Sequence, residues 1–263
     1  MTILAVIPAR LESSRLHNKP LQLLGGRPII QRVWERATRL GIADRVVVAT
    51  DSSAVATPLR AVGAEVVLTD PNHPSGTDRV AEVAALLRYA SAEVVLNIQG
   101  DEPFVSATVL LGALDQVRHA GHPLGTVAVP ASEEELSRPA VVKVVTADDG
   151  RALYFSRAAI PWLRDPEDAP LREALMLRHL GIYAYTPEAL ARWVSLPEHR
   201  LERVERLEQL RPLAAGIPMG VAVVGEAPEA GIDTPNDLER ANARWVELQD
   251  GDPIPDIRTA GRT

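Results

Sequence analysis

The sequence predicts an α/β chain: a mostly parallel sheet covered by helices, with an added hairpin and helical region. Two observations carry this. Short, near-continuous apolar runs alternate with amphipathic stretches through the first half, the rhythm of βαβ units whose strands are buried on both faces. After Pro130 the rhythm changes to a hairpin signal, a strand-like run and further helical patterns.

Taken in order, strands are expected at 4–7, 45–50, 65–68, 94–98 and 125–129, with helices at 29–39, 54–62, 78–89 and 107–119 between them. Runs at 141–145 and 152–155 flank Ala147-Asp148-Asp149-Gly150, a hairpin turn. A polar stretch at 164–170 precedes a strand at 179–185, a helix from Pro187 and a second helix near 201–211. A strand at 221–224 returns to the sheet, and Pro235 opens a final helix at a position where proline is tolerated.

The 263 residues are 46% hydrophobic, enough for a sizeable core, yet no apolar run is long enough to span a bilayer. The N-terminus lacks a basic region and a cleavage site, so no signal peptide is expected. With no cysteine, disulfides, thiolate catalysis and cysteine-based zinc sites are excluded, and a cytoplasmic protein is expected. The net charge of −7 lacks the basic footprint of a nucleic-acid binder. Basic residues are nearly all arginine; the two lysines are Lys19 and Lys143.

Lys19 stands in the loop after the first strand, Pro8-Ala9-Arg10-Leu11-Glu12-Ser13-Ser14-Arg15-Leu16-His17-Asn18-Lys19-Pro20. Open α/β sheets bind ligands at the carboxyl ends of strands. Arg10, Arg15 and Lys19, with the Ser13 and Ser14 hydroxyls, suit a triphosphate held by side chains, since the glycines of a P-loop or dinucleotide fingerprint are absent. A solvated surface loop is the plain alternative.

Pro74-Ser75-Gly76-Thr77-Asp78-Arg79 precedes a helix, with Thr77 or Asp78 as a possible N-cap. Its serine, glycine and arginine could equally frame a nucleotide base. Gln99-Gly100-Asp101-Glu102-Pro103 follows a strand, where a carboxylate is placed to hold magnesium beside a phosphate. Asp101 is the expected ligand, with a turn residue as the alternative. Asp233, in Gly231-Ile232-Asp233-Thr234-Pro235, is either an N-cap or the second carboxylate of the same site.

These strings resemble a family. Pro-Ala-Arg, Ser, Arg-Leu and Lys-Pro at these offsets are similar to the opening signature of sugar-nucleotide cytidylyltransferases, with His17-Asn18 where the family usually has Pro-Gly. Gly25-Gly26-Arg27-Pro28-Ile29-Ile30 is similar to its continuation. Tyr154-Phe155-Ser156-Arg157-Ala158, Arg178-His179-Leu180-Gly181-Ile182-Tyr183, Leu207-Glu208-Gln209-Leu210-Arg211 and Gly231-Ile232-Asp233-Thr234-Pro235 together resemble the 3-deoxy-manno-octulosonate (KDO) cytidylyltransferases, from about residue 3 to about residue 245.

The resemblance implies a Rossmann-like nucleotide-diphospho-sugar transferase fold and a transfer that joins CTP and KDO into CMP-KDO and pyrophosphate, for lipopolysaccharide or a related glycan. An amino-KDO substrate, or a non-catalytic nucleotide-binding module, is the alternative. By position, Arg10, Ser13, Arg15, Lys19, Ser75 and Arg79 belong to the nucleotide. Gln99, Arg157, His179, Tyr183, Glu208 and Gln209 line the sugar, and Asp101 and Asp233 hold Mg2+. Asp101, Asp233, Lys19 and Arg15 form the implied catalytic set. The implied organisation is a nucleotide-binding core at 1–129, a sugar-binding and homodimerisation region at 130–213, a return to the core at 214–248 and a disordered tail at 249–263. No nucleic-acid partner and no membrane insertion are expected.

Overall fold

The structure, a computed structural model, describes residues 1–13, 15–225 and 227–245; the tail expected at 249–263 lies outside them. The chain divides into two compact units, residues 1–110 with 228 onward, and residues 111–227.

The first unit is built on four parallel strands in the order β6-β1-β4-β5, namely Val94–Asn97, Ile3–Ala9, Arg45–Thr50 and Glu65–Leu68. Leu4 pairs with Arg45 on one side and Val95 on the other. Leu4, Ala5, Val6 and Ile7 are all buried, as a doubly covered strand requires. Each buried Leu, Val or Ile contributes about 1.5–3 kcal/mol.

Helices α1 (Ile29–Leu40), α2 (Ser53–Ala61) and α3 (Gly76–Ala84) follow β-strands in turn. A left-handed Gly41 ends α1, its N–H bonded to the Thr38 carbonyl. The helix expected over 78–89 is shorter: α3 stops at Ala84 and a separate 3-10 turn covers Leu87–Tyr89. Ser75, rather than Thr77 or Asp78, caps α3, accepting from the N–H groups of Thr77 and Asp78.

The last helix of this unit, α10 (Pro235–Ala243), starts from a capping box of Thr234 and Asp237. It is fastened to a two-stranded hairpin, β2 (Leu23–Leu24) and β3 (Arg27–Pro28). Asn242 accepts from the Gly25 N–H at 2.9 Å and donates to the Leu23 carbonyl at 3.0 Å. The Trp245 ring closes this corner, under the Arg32 guanidinium at 4.3 Å and beside Phe104.

The second unit contains β7 (Leu124–Pro130), β8 (Lys143–Thr146), β9 (Ala152–Ser156), β10 (Leu177–Tyr185) and β11 (Met219–Val223). Strand β11 is parallel to β7, β7 is antiparallel to β10, and β8 is antiparallel to both β10 and β9. Strand β7 thus pairs inside the second unit, although the sequence grouped 125–129 with the first.

The expected hairpin of β8 and β9 is present, and α7 (Pro187–Ser195) starts at a Thr186 cap. Three features differ from expectation. Helices α5 (Glu133–Ser137) and α6 (Ala169–Leu175) fill stretches read as irregular. No residue of α6 is buried, so it has no apolar periodicity to read. The helix expected near 201–211 is two helices, α8 (Arg200–Glu205) and α9 (Leu210–Ala214). Arg206 breaks them apart in the left-handed conformation, φ 54°. A buried ion pair spans the break, with Arg211 Nε and Nη2 at 2.8 and 2.6 Å from the Glu202 carboxylate.

Candidate active site

A cleft of about 290 Å³ opens at the carboxyl ends of β1 and β6 in the first unit. Arg10, Ser13, Arg15, Lys19, Gln99, Asp101 and Asp233 all line it.

Local sequence explains the convergence. Lys19 opens a 3-10 turn, Lys19–Leu21, whose cap residue Asn18 sits at φ 50°, ψ 38°. Asparagine tolerates this left-handed region better than most side chains, so Asn18 can serve where the family usually places glycine. Gly100 lets the loop after β6 press against β1, since a Cβ there would lie 2.6 Å from the Pro8 carbonyl oxygen. The distant Asp233 segment is zipped onto this loop by the Ile232 N–H, which donates to the Asp101 carbonyl at 2.9 Å. A Cβ on Gly231 would meet the Glu102 carboxylate at 2.8 Å and the Asp101 carbonyl oxygen at 3.2 Å, so the two loops are in close approach there. The Glu102 side chain lies against Gly231.

Asp101 and Asp233 share one cation, the Lys19 ammonium, which donates to Asp101 and, at 2.8 Å, to Asp233. Arg15 Nη2 adds a contact to Asp233 at 3.0 Å. Burial pulls the Lys19 pKa down, but the charges and hydrogen bonds of Asp101 and Asp233 outweigh it and hold the group above its ordinary value. Lys19 is therefore a fixed positive charge at neutral pH. Asp233 is not the helix cap; Thr234 is.

Ser75 and Arg79, expected on the nucleotide side, do not line this cleft. Besides capping α3, Ser75 donates its hydroxyl proton to Asp78 at 2.7 Å. Arg79 is fully buried, pairs with Asp51 at 2.8 Å and donates to Thr69. It braces the ends of β4 and β5 from within. A buried arginine needs such partners because an unpaired buried charge is costly.

The residues expected around the sugar, apart from Gln99, lie in the second unit. Arg157 is anchored to backbone: Nε donates to the Glu205 carbonyl at 2.7 Å, Nη1 to Pro139 at 3.0 Å and Nη2 to Arg206 at 3.3 Å. Three of its five N–H groups are engaged, and two are left for a ligand. Lys143 is fully buried and donates to the carbonyls of Arg138, Val141 and Arg157. Burial first, then the Arg157 charge, lowers its pKa below the ordinary lysine value.

His179 and Tyr183 are ring neighbours, with centroids 5.4 Å apart. Four residues of a regular strand would separate them by roughly 13 Å. A bulge closes the gap: His179 is opposite Ala128 and Tyr183 opposite Thr126, so four steps of β10 match two of β7. Gly181, at φ 71°, supplies the left-handed residue. Tyr183 also packs on Tyr185 and Trp193, and burial, with the charges of Tyr185 and Glu208, raises its pKa well above the ordinary value. Glu208 and Gln209 are not helical neighbours as expected; they lie in the link between α8 and α9, and Gln209 is buried at the start of α9.

Comparison with known proteins identifies the family. A family model described as cytidylyltransferase matches residues 4–219. A 3-deoxy-manno-octulosonate cytidylyltransferase of Gemmatimonas aurantiaca is 58% identical over 94% of this chain and 96% of the relative. One from Vibrio cholerae is 45% identical over 91% and 96%. The solved structure of CMP:2-keto-3-deoxy-manno-octonic acid synthetase complexed with CTP superposes with a TM-score of 0.85 at 38% identity, covering 94% of this chain and 99% of that one. A 4-diphosphocytidyl-2C-methyl-D-erythritol synthase from Anaerococcus prevotii, at 15% identity and TM-score 0.60, shares the fold. With a cation-lined cleft at the strand ends and relatives matched over nearly their whole length, this chain belongs to the cytidylyltransferase family, among its 3-deoxy-manno-octulosonate members.

Proposed function

We propose that the protein joins CTP and KDO to give CMP-KDO and pyrophosphate, with magnesium as cofactor. The observation that carries this is the convergence of Asp101 and Asp233 on the Lys19 ammonium, in a cleft that also holds Arg10 and Arg15.

In the proposed reaction the anomeric hydroxyl oxygen of KDO forms a bond to the α-phosphorus of CTP. The bond from that phosphorus to the bridging oxygen breaks, pyrophosphate carries the electron pair away, and the hydroxyl proton is released to water. Phosphoryl transfer of this kind relies on positioning and charge neutralisation more than on a protein nucleophile. Arg10, Arg15 and Lys19 supply positive charge to the triphosphate, and the Ser13 hydroxyl offers a hydrogen bond. Asp101 and Asp233 would hold the magnesium. Among the described residues no group of three or more His, Cys, Asp or Glu could hold a metal. Two carboxylates with phosphate and water ligands is a usual arrangement for magnesium. When bound, the ion supplies neutralisation of the phosphate charge.

The sugar acid is assigned to the second unit. Arg157 keeps two N–H groups for the KDO carboxylate, and His179, Tyr183, Glu208 and Gln209 offer directional groups to its hydroxyls. Gln99 lines the cleft of the first unit. A panel of KDO, amino-KDO and other acid sugars, read by pyrophosphate release, tests this assignment; a better amino-KDO substrate would overturn it.

The same reading makes the protein a cytoplasmic homodimer. Among the described residues no helix is long and apolar enough to cross a membrane. Trp162, Leu171 and Val204 in the second unit are 81%, 67% and 83% exposed, which suits burial against a second copy. Sedimentation of the protein as a monomer would contradict that part.

A further inference from the structure

We propose that Thr126, buried on β7, fixes the tautomer of His179 so that Nδ1 faces its ligand as a bare acceptor. This rests on the assignment of His179 to the sugar.

One hydroxyl proton sets the direction of both Thr126 contacts. Thr126 Oγ1 lies 2.6 Å from the Ile182 carbonyl oxygen and 2.8 Å from His179 Nε2. A hydroxyl carries one proton, and a carbonyl oxygen has none to give. The contact to Ile182 therefore takes the Thr126 proton, and the hydroxyl must accept from Nε2–H. The β10 bulge makes this possible. It turns the Ile182 carbonyl toward Thr126, where a regular strand would point it along the ladder.

Three surroundings keep the lock. Thr126 is fully buried, so no water competes for its proton. The His179 ring packs edge-on with Phe155 at 4.9 Å and with Tyr183 at 5.4 Å. Burial lowers the imidazole pKa to about 3, so the ring is neutral and only one nitrogen carries a proton. Among the described residues nothing hydrogen-bonds Nδ1.

The chemical consequence concerns specificity. A neutral Nδ1 lone pair accepts from a hydroxyl and repels a carboxylate oxygen. His179 thus reads a hydroxyl of the acid sugar, and the carboxylate is left to the free N–H groups of Arg157. Thr126 acts only through His179 and is a positioning residue.

The test is long-range 15N–1H NMR of the full chain with labelled histidine, without substrates. The expected wild-type spectrum shows His179 as the Nε2–H tautomer. Thr126→Val should redistribute the proton toward Nδ1 and raise the KM for KDO roughly three- to tenfold, with the KM for CTP unchanged. Thr126→Ser, which keeps the hydroxyl, should restore both. An Nδ1–H tautomer in the wild type overturns the proposal, and that result does not depend on any variant folding. An unchanged spectrum in folded Thr126→Val also overturns it. If the spectra behave as expected while the KDO KM is unmoved, the lock stands and the assignment of His179 to the sugar fails.

Discussion

Lys19 Nζ lies 2.8 Å from Asp233, a residue 214 positions away in the chain. The same ammonium bonds Asp101, so one cation joins the loop after β1, the loop after β6 and the segment before α10. The geometry gives the two carboxylates a common focus.

Asp101→Asn removes charge from that focus without changing its shape. Turnover is expected to fall at least about a hundredfold, the order seen when a single transition-state electrostatic contact is lost. Because the Asp101 side chain is 26% exposed and its backbone carbonyl still accepts from Ile232, unfolding temperature should change little. Pyrophosphate release and a thermal melt of the same sample check both halves.

The two lysines should fail in different ways. Lys19→Ala removes a cleft cation and is expected to cut CTP-dependent turnover in a protein that still folds. Lys143→Ala leaves the carbonyls of Arg138, Val141 and Arg157 without their shared donor and should cost about 2–4 kcal/mol of stability. Urea unfolding alongside turnover separates them. Equal losses of turnover per folded molecule would contradict the distinction.

His179 makes stability depend on acid. Its ordinary pKa of 6.5 is lowered to about 3 by burial, so on acidification the unfolded chain takes up this proton first. The native state therefore loses stability as pH falls from 6.5 toward 3, by up to about a few kcal/mol, and gains nothing from this group above 6.5. His179→Gln should flatten that slope. The measurement is the difference between wild-type and variant urea midpoints from pH 7 to pH 4.5, which cancels the carboxylates common to both.

The Glu202–Arg211 pair brackets the link that carries Glu208 and Gln209. Glu202→Ala should cost about 3–5 kcal/mol, because it strands a buried guanidinium. Adding Arg211→Ala should cost less than the sum of the two single changes. Urea unfolding of the four proteins gives the coupling.

The sequence made the cleft legible because its residues follow short apolar strands, and carboxyl ends of strands are where such sheets bind ligands. It made Asp233 legible only as an alternative, since the Ile232–Asp101 bond that delivers it is a tertiary contact. Resemblance alone singled out Glu208 and Gln209, and it could not show the break at Arg206, because a left-handed arginine leaves no mark in composition. Arg79 read as part of a frame for a nucleotide base, and its bond to Asp51, 28 residues earlier, lies beyond any local pattern. Thr126 was missed for a similar reason: a threonine in a strand reads as a strand former, and its role depends on a bulge in another strand. Gly181 was the available signal for that bulge.

The most direct test of the account is pyrophosphate release from purified protein given CTP and KDO, with and without magnesium. Release that requires all three, and that is lost in both Asp101→Asn and Asp233→Asn, is the expected result. Undiminished release after complete chelation of divalent ions, or in either variant, would contradict the assignment of those two carboxylates to a shared magnesium.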